Sequence, residues 1–179
     1  MEKRKKNIQI FVIILLFLIK NIYSQDSTFL KIFKGNHFIF CNIEGVIFND
    51  TVWYGSFKRN EFVNEYGKVS HISLCEYFPI EEKIRKYVKR KTRNGRIKLT
   101  GPGNDCPNII NEWNNYIRQI VCYKKSEKNY VLIKFIHKNY IQDHPYWQYR
   151  LNQTYEGCSN YWEIEYDIEK NKAFNFIIN

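Results

Sequence analysis

Apolar and polar residues alternate along most of this chain with a period nearer two than 3.6, which predicts strands more than helices. His37-Phe38-Ile39-Phe40-Cys41 and Val46-Ile47-Phe48 are short aromatic and β-branched runs, as are residues 69–74 and 130–136. Arg96-Ile97-Lys98-Leu99 alternates cleanly. The sharpest alternation is Trp162-Glu163-Ile164-Glu165-Tyr166-Asp167-Ile168-Glu169, with Trp, Ile, Tyr and Ile on one face and four acids on the other. A turn at Lys170-Asn171-Lys172 then leads to Phe174, Phe176 and Ile178, predicting a hairpin. Helical spacing is sparse. Residues 79–91 carry Ile80, Ile84, Tyr87 and Val88 near a helical period, with Glu81 and Glu82 early, and 107–121 has room for a short helical turn. Many short strands and one short helix predict an all-β, antiparallel β-sandwich.

The N-terminus follows a different logic. Glu2 to Asn7 is basic, residues 8–19 are apolar except for Gln9, and Ser24 is small, as in a secretory signal peptide. The apolar run is well short of the roughly 20 residues that cross a bilayer. Residues 1–24 are therefore expected to be a cleaved signal, and 25–179 a single secreted, extracellular domain with no membrane span. The whole chain carries a net charge of +10. Loss of the signal takes five of its 28 basic residues and one of its 18 acids, leaving +6 on 155 residues. In an oxidising compartment Cys41, Cys75, Cys106, Cys122 and Cys158 become disulfide candidates, with at most two bridges and one thiol left over. Asn49-Asp50-Thr51 and Asn152-Gln153-Thr154 are glycosylation acceptors at Asn49 and Asn152.

Nine cations and no acid fall between residues 83 and 98: Lys83, Arg85, Lys86, Lys89, Arg90, Lys91, Arg93, Arg96 and Lys98. Such a run attracts anionic lipid, glycan or nucleic acid, and secretion disfavours nucleic acid as the partner. The alternative is a solvated linker and hairpin facing the acids Glu163, Glu165, Asp167 and Glu169. His144-Pro145-Tyr146-Trp147-Gln148-Tyr149-Arg150 offers a second aromatic patch, for a protein partner or for the core. His37, His71, His137 and His144 are paired with no nucleophile or ligand motif, and the cysteine spacings match no zinc signature. No catalytic residue, metal or cofactor is expected.

The order of features from Val69 to Leu151 resembles the transthyretin-like family of secreted nematode proteins. Val69-Ser70-His71-Ile72-Ser73-Leu74-Cys75-Glu76 is similar to its V-x-V-x-L-x-E strand. Lys91-Thr92-Arg93-Asn94-Gly95-Arg96-Ile97-Lys98-Leu99-Thr100-Gly101 resembles T-x-x-x-G-x-F-x-L-x-G, with Asn94-Gly95 supplying a hairpin turn. Residues 116–122 match a strand ending in cysteine, and 130–141 resemble V-x-I-x-I-P-x-x-Y-[IV]. Ile120 stands where the family has histidine, and His137 where it has proline. The resemblance implies a transthyretin-like (immunoglobulin-like) antiparallel β-sandwich, secretion and extracellular binding. A hydrolase of 5-hydroxyisourate shares that fold but ends in Tyr-Arg-Gly-Ser, whereas this chain ends Phe-Ile-Ile-Asn. The expected function is thus an extracellular binding or interaction protein, not an enzyme. The alternatives are a small secreted hydrolase on an α+β fold and a host-directed effector.

Overall fold

The apolar run at residues 130–136 and the segment 116–122 become the two central strands. β5 (Tyr116–Lys125) and β6 (Lys128–His137) pair antiparallel across a tight turn at Ser126-Glu127. Both strands are covered on both faces, so their sequences are nearly continuous apolar runs rather than clean alternations. The computed structural model describes residues 35–49, 53–54, 65–93, 106–152 and 158–178. The expected signal segment 1–24 and the Asn94-Gly95 hairpin with Arg96 and Lys98 lie outside the described residues.

Around this pair, β1 (Asn36–Phe40), β2 (Ile43–Phe48), β4 (Lys68–Ser70), β8 (Tyr161–Asp167) and β9 (Lys172–Ile178) complete a seven-stranded sheet. Its order is β1-β2-β5-β6-β8-β9, with β4 also paired to β5. The molecule is therefore β-rich, as the alternation predicts, but the sheet is mixed. β2 runs parallel to β5, and the other pairs in this sheet are antiparallel. A parallel pair needs a long crossover. Here the crossover from β2 to β5 contains β3 (Trp53–Tyr54), β4 and the helix α1 (Leu74–Arg93). β3 pairs with β7 (Arg150–Leu151) in a separate two-stranded ribbon. At Gly45, opposite Arg118, a Cβ would stand 2.8 Å from the Arg118 carbonyl oxygen and from the Phe38 ring, so only glycine fits the ladder there.

α1 corrects two expectations. The segment 69–74 is strand only to Ser70; residues 71–73 leave the sheet and Leu74 is already helical. The cause is a capping box. Ser73 Oγ accepts from the Glu76 amide at 3.4 Å, and Glu76 Oε2 accepts from the Ser73 amide at 2.8 Å. The helix expected over 79–91 accordingly starts a turn earlier and runs on through Lys91-Thr92-Arg93, past the point where the resemblance implies a hairpin arm. Pro79 lies within it and is exposed, and Arg90, Lys91 and Arg93 complement the helix C-terminus. The short helical turn expected within 107–121 is a 3₁₀ turn, Trp113–Asn115.

The main core lies between α1 and one sheet face. Tyr77, Ile80, Ile84 and Val88 from the helix meet Ile120, Val131, Ile133, Phe135, Trp162, Ile164 and Tyr166 from the strands. Full burial of such an aliphatic side chain contributes about 1.5–3 kcal/mol. The face that a sandwich would cover with a second sheet thus carries a helix among the described residues. A smaller cluster on the other face joins Val46, Phe48, Val121, Tyr123 and Leu132 to Tyr66 and Leu151, with Trp147 packed against it.

Within the main core sits a buried ion pair. Arg118 donates Nη2–H to Glu81 Oε1 at 2.7 Å and Nε–H to the same oxygen at 3.1 Å. Trp113 Nε1–H also donates to Glu81 Oε1, at 3.0 Å, and the Tyr77 hydroxyl donates to Oε2. The remaining Arg118 donors reach the carbonyl oxygens of Tyr116 and Trp113, and its guanidinium lies 5.3 Å from the Phe135 ring centre. Both charges are thereby compensated by protein groups.

Candidate functional site

The periodicity that buries one stripe of α1 fixes where its charges go. With Tyr77, Ile80, Glu81, Ile84 and Val88 turned inward, Lys83, Arg85, Lys86, Lys89, Arg90 and Arg93 are all exposed. Arg85 leans over the Trp113 ring, Lys91 over the Tyr87 ring, and Lys86 pairs with Glu82 at 3.3 Å. Between the helix and the start of β9 lies an open groove of about 470 Å³. Lys83, Lys86, Lys89, Arg90 and Arg93 form one wall, Lys172 stands on the other, and Tyr87, Tyr166, Asn171 and Ala173 complete the lining. The lining contains six cations and no acid. Among the described residues Lys89, Arg90, Arg93 and Lys172 make no ion pair. Their charge is left uncompensated among the described residues.

The groove has a defined shape. Lys83 Nζ donates to Asn171 Oδ1 at 2.6 Å, and the Tyr166 hydroxyl donates to the same oxygen. Helix and hairpin are thus tied together at the groove's inner end. Asn171 adopts φ 54°, a left-handed turn conformation that asparagine tolerates better than most residues. A second recess of about 410 Å³ shares Lys83, Tyr166 and Asn171 and extends toward Ser70, His71, Glu76 and Cys122. Its Cys122 accepts from Ser70 Oγ at 3.1 Å, and burial raises the thiol above its ordinary value, so it stays protonated near neutrality.

The acids expected to neutralise the basic run do not face it. Strand alternation sends Trp162, Ile164 and Tyr166 toward α1 and leaves Glu163 and Glu165 on the opposite face of the sheet. Glu163 pairs with Lys134 at 2.6 Å, while Glu165 accepts from the Tyr123 hydroxyl and, at 2.7 Å, from Asn175 Nδ2. Asp167 is buried and accepts from the Lys170 amide at 2.8 Å. Glu169 is exposed in the β8–β9 turn. The run is thus helical rather than hairpin through Arg93, and three of its four proposed counter-charges, Glu163, Glu165 and Asp167, are engaged elsewhere.

The cysteines form one bridge where up to two are expected. Cys106 joins Cys158 across 52 residues, while Cys41 and Cys75 are exposed thiols and Cys122 a buried one. Asn49 is half-buried with its Oδ1 accepting from the Ile72 backbone N–H at 3.1 Å, and the Asn152 backbone N–H donates to Gln119 Oε1 at 2.7 Å. The histidines take separate roles. His37 meets Glu44 at 3.2 Å, and His71 borders the second recess. His137 is buried and caps the following 3₁₀ turn, and His144 meets the Tyr161 hydroxyl at 2.9 Å. Among the described residues no three His, Cys, Asp or Glu side chains gather as metal ligands would. The 144–150 patch divides: Trp147 packs against the second cluster, whereas Tyr146 is exposed beneath the Arg150 guanidinium. The signals that sequence reading passed over are Lys172 on the far wall, the Ser73/Glu76 capping box and the Glu81–Arg118 pair. Only the capping box has a local sequence signature.

No family model, no curated protein and no solved structure matches the chain.

Proposed function

We propose that this protein is a secreted, non-catalytic binding module that holds anionic extracellular surfaces against the basic flank of α1. The observation that carries the reading is the groove beside α1, with six cations and no acid in its lining. Secretion draws support from the signal pattern of residues 1–24 and from the Cys106–Cys158 disulfide, a bond favoured in oxidising compartments. No described helix is long and apolar enough to cross a membrane. The transthyretin-like sandwich is the finer reading of the fold, and the antiparallel strands β5 and β6 at its motif positions support it. The helical residues 74–93 occupy the span where that family has a strand and a linker, so the functional reading leans on the charge geometry rather than on kinship. Retention of the mature protein on heparin beads and on phosphatidylserine vesicles tests it. Binding that survives about 0.2 M salt is expected, because concentrated charge outlasts diffuse attraction at that ionic strength; elution from both below it sinks the proposal.

A further inference from the structure

The geometry points to a single extended polysaccharide chain bearing sulfate or carboxylate groups, seated lengthwise in the groove between α1 and the β8–β9 hairpin, as the ligand of the basic face. This rests on the anionic-binding role proposed above and specifies its ligand. Three features select a chain over a membrane. Lys83, Lys86, Arg90 and Arg93 recur at three- and four-residue spacing, forming a stripe about 15 Å long on one side of the helix. Lys172, at the start of β9, lines the groove on its hairpin side, so cations border it on both sides. A flat bilayer reaches the crests of such walls, while a slender polyanion reaches both at once.

The third feature is that the described residues offer no insertion surface at the groove. Helices that bind membranes laterally spend an apolar face on the lipid. The apolar stripe of α1 is already buried against the sheet. The large apolar side chains exposed among the described residues, such as Ile39, Phe40 and Ile177, do not line the groove. What lines it besides cations is Tyr87, Tyr166, Asn171 and Ala173. An exposed asparagine amide suits the hydroxyls of a sugar chain. The lysine and arginine side chains suit its sulfates and carboxylates through charge-assisted hydrogen bonds.

The test uses the mature, disulfide-intact protein, size-defined heparin oligosaccharides and pure phosphatidylserine vesicles, with titration calorimetry at about 0.15 M salt. Saturable 1:1 binding is expected, tightening with oligosaccharide length until the stripe is spanned and then levelling off. Lys86→Gln combined with Arg90→Gln should weaken it about ten-fold or more, and Lys172→Gln several-fold, as loss of charged hydrogen bonds does. Lys138→Gln removes the same charge at the far end of β6 and should change affinity less than two-fold. Unchanged far-UV circular dichroism and melting midpoints establish that each variant is folded. If vesicles bind while oligosaccharides do not, or if Lys138→Gln costs as much as Lys172→Gln, the groove assignment falls and the broader anionic-surface role stands. If neither probe binds, both fall.

Discussion

Removing the Glu81 carboxylate should be among the most damaging single changes available in this fold. In the Glu81→Ala variant, four donors lose their acceptor: the Tyr77 hydroxyl, Trp113 Nε1–H, and the Nε–H and Nη2–H of Arg118. Arg118 is fully buried and would remain charged without a counter-ion. Breaking such a pair from one side typically costs about 3–5 kcal/mol. Against the total stability of an ordinary domain, roughly 5–15 kcal/mol, that is at least about a fifth of the whole. For a domain of this size it corresponds to a melting midpoint lower by about 10 °C. The pair itself is a different matter, since its Coulombic gain is set against the desolvation of both ions. Replacing both partners, as Glu81→Leu with Arg118→Met, should therefore recover much of the loss. The assay is urea denaturation of the wild type, the two single variants and the double variant, followed by circular dichroism. The double variant should be less destabilised than the sum of the singles by at least about 1 kcal/mol. Additive losses, or a Glu81→Ala cost below about 1 kcal/mol, would refute the claim that the two charges compensate each other in a dry interior.

Three further outcomes follow from local features. Glu127 sits at φ 64° in the β5–β6 turn, a conformation glycine adopts without the strain a glutamate bears, so Glu127→Gly should raise the melting midpoint by about 2–4 °C despite losing its exposed contact with Lys124. Reduction of Cys106–Cys158, or its replacement by two serines, frees a loop of 52 residues and should cost about 4 kcal/mol, read as a shift of the urea midpoint with and without reductant. Burial holds His137 and His144 below their ordinary value of 6.5, against the opposing pull of Glu112 on the first and Asp143 on the second. The unfolded chain takes up these protons first, so stability is full above about pH 6.5 and falls as the pH drops toward the lowered folded values. A His137→Gln, His144→Gln double variant should flatten that slope in melting curves between pH 7 and 5; an unchanged slope would assign it to other groups.

The strands were legible because their burial pattern writes itself into single segments. Trp162, Ile164 and Tyr166 alternate with acids, and the structure turns them toward the helix as the alternation predicts. β6 was legible as an apolar run for the opposite reason, because both faces are covered, whereas β5, interrupted by Arg118 and Gln119, was read as a strand only through the family resemblance. The layer facing the sheet was not. Val69 to Leu74 has the composition of a strand, but Ser73 and Glu76 satisfy the first free amides of a helix, and that capping overrides the β preference of the residues before it. The parallel pairing of β2 with β5 was beyond local reading too, since it brings together strands that lie some 70 residues apart with α1 between them.

The site shows the same division between what a segment encodes and what packing decides. Nine cations in 16 residues announce a charge, yet a hairpin would have spread them over two faces and a helix gathers most of them onto its solvent side. The gathering follows from the apolar stripe: once Ile80, Ile84 and Val88 are committed to the sheet, the helical period leaves residues 83, 86, 90 and 93 no choice but one flank. Whether that flank is neutralised then turns on a strand some 70 residues later. Its alternation was read correctly and its consequence wrongly, because the face that offers Tyr166 to the helix is necessarily the face that carries no acid. Had the register of β8 slipped by one residue, Glu163 and Glu165 would stand beneath α1 and the groove would be a salt-bridged seam. The burial of Trp162, stacked on Phe135 at 3.5 Å, forbids that slip. The charge of the groove is therefore maintained by an aromatic contact in the core as much as by the lysines and arginines that line it.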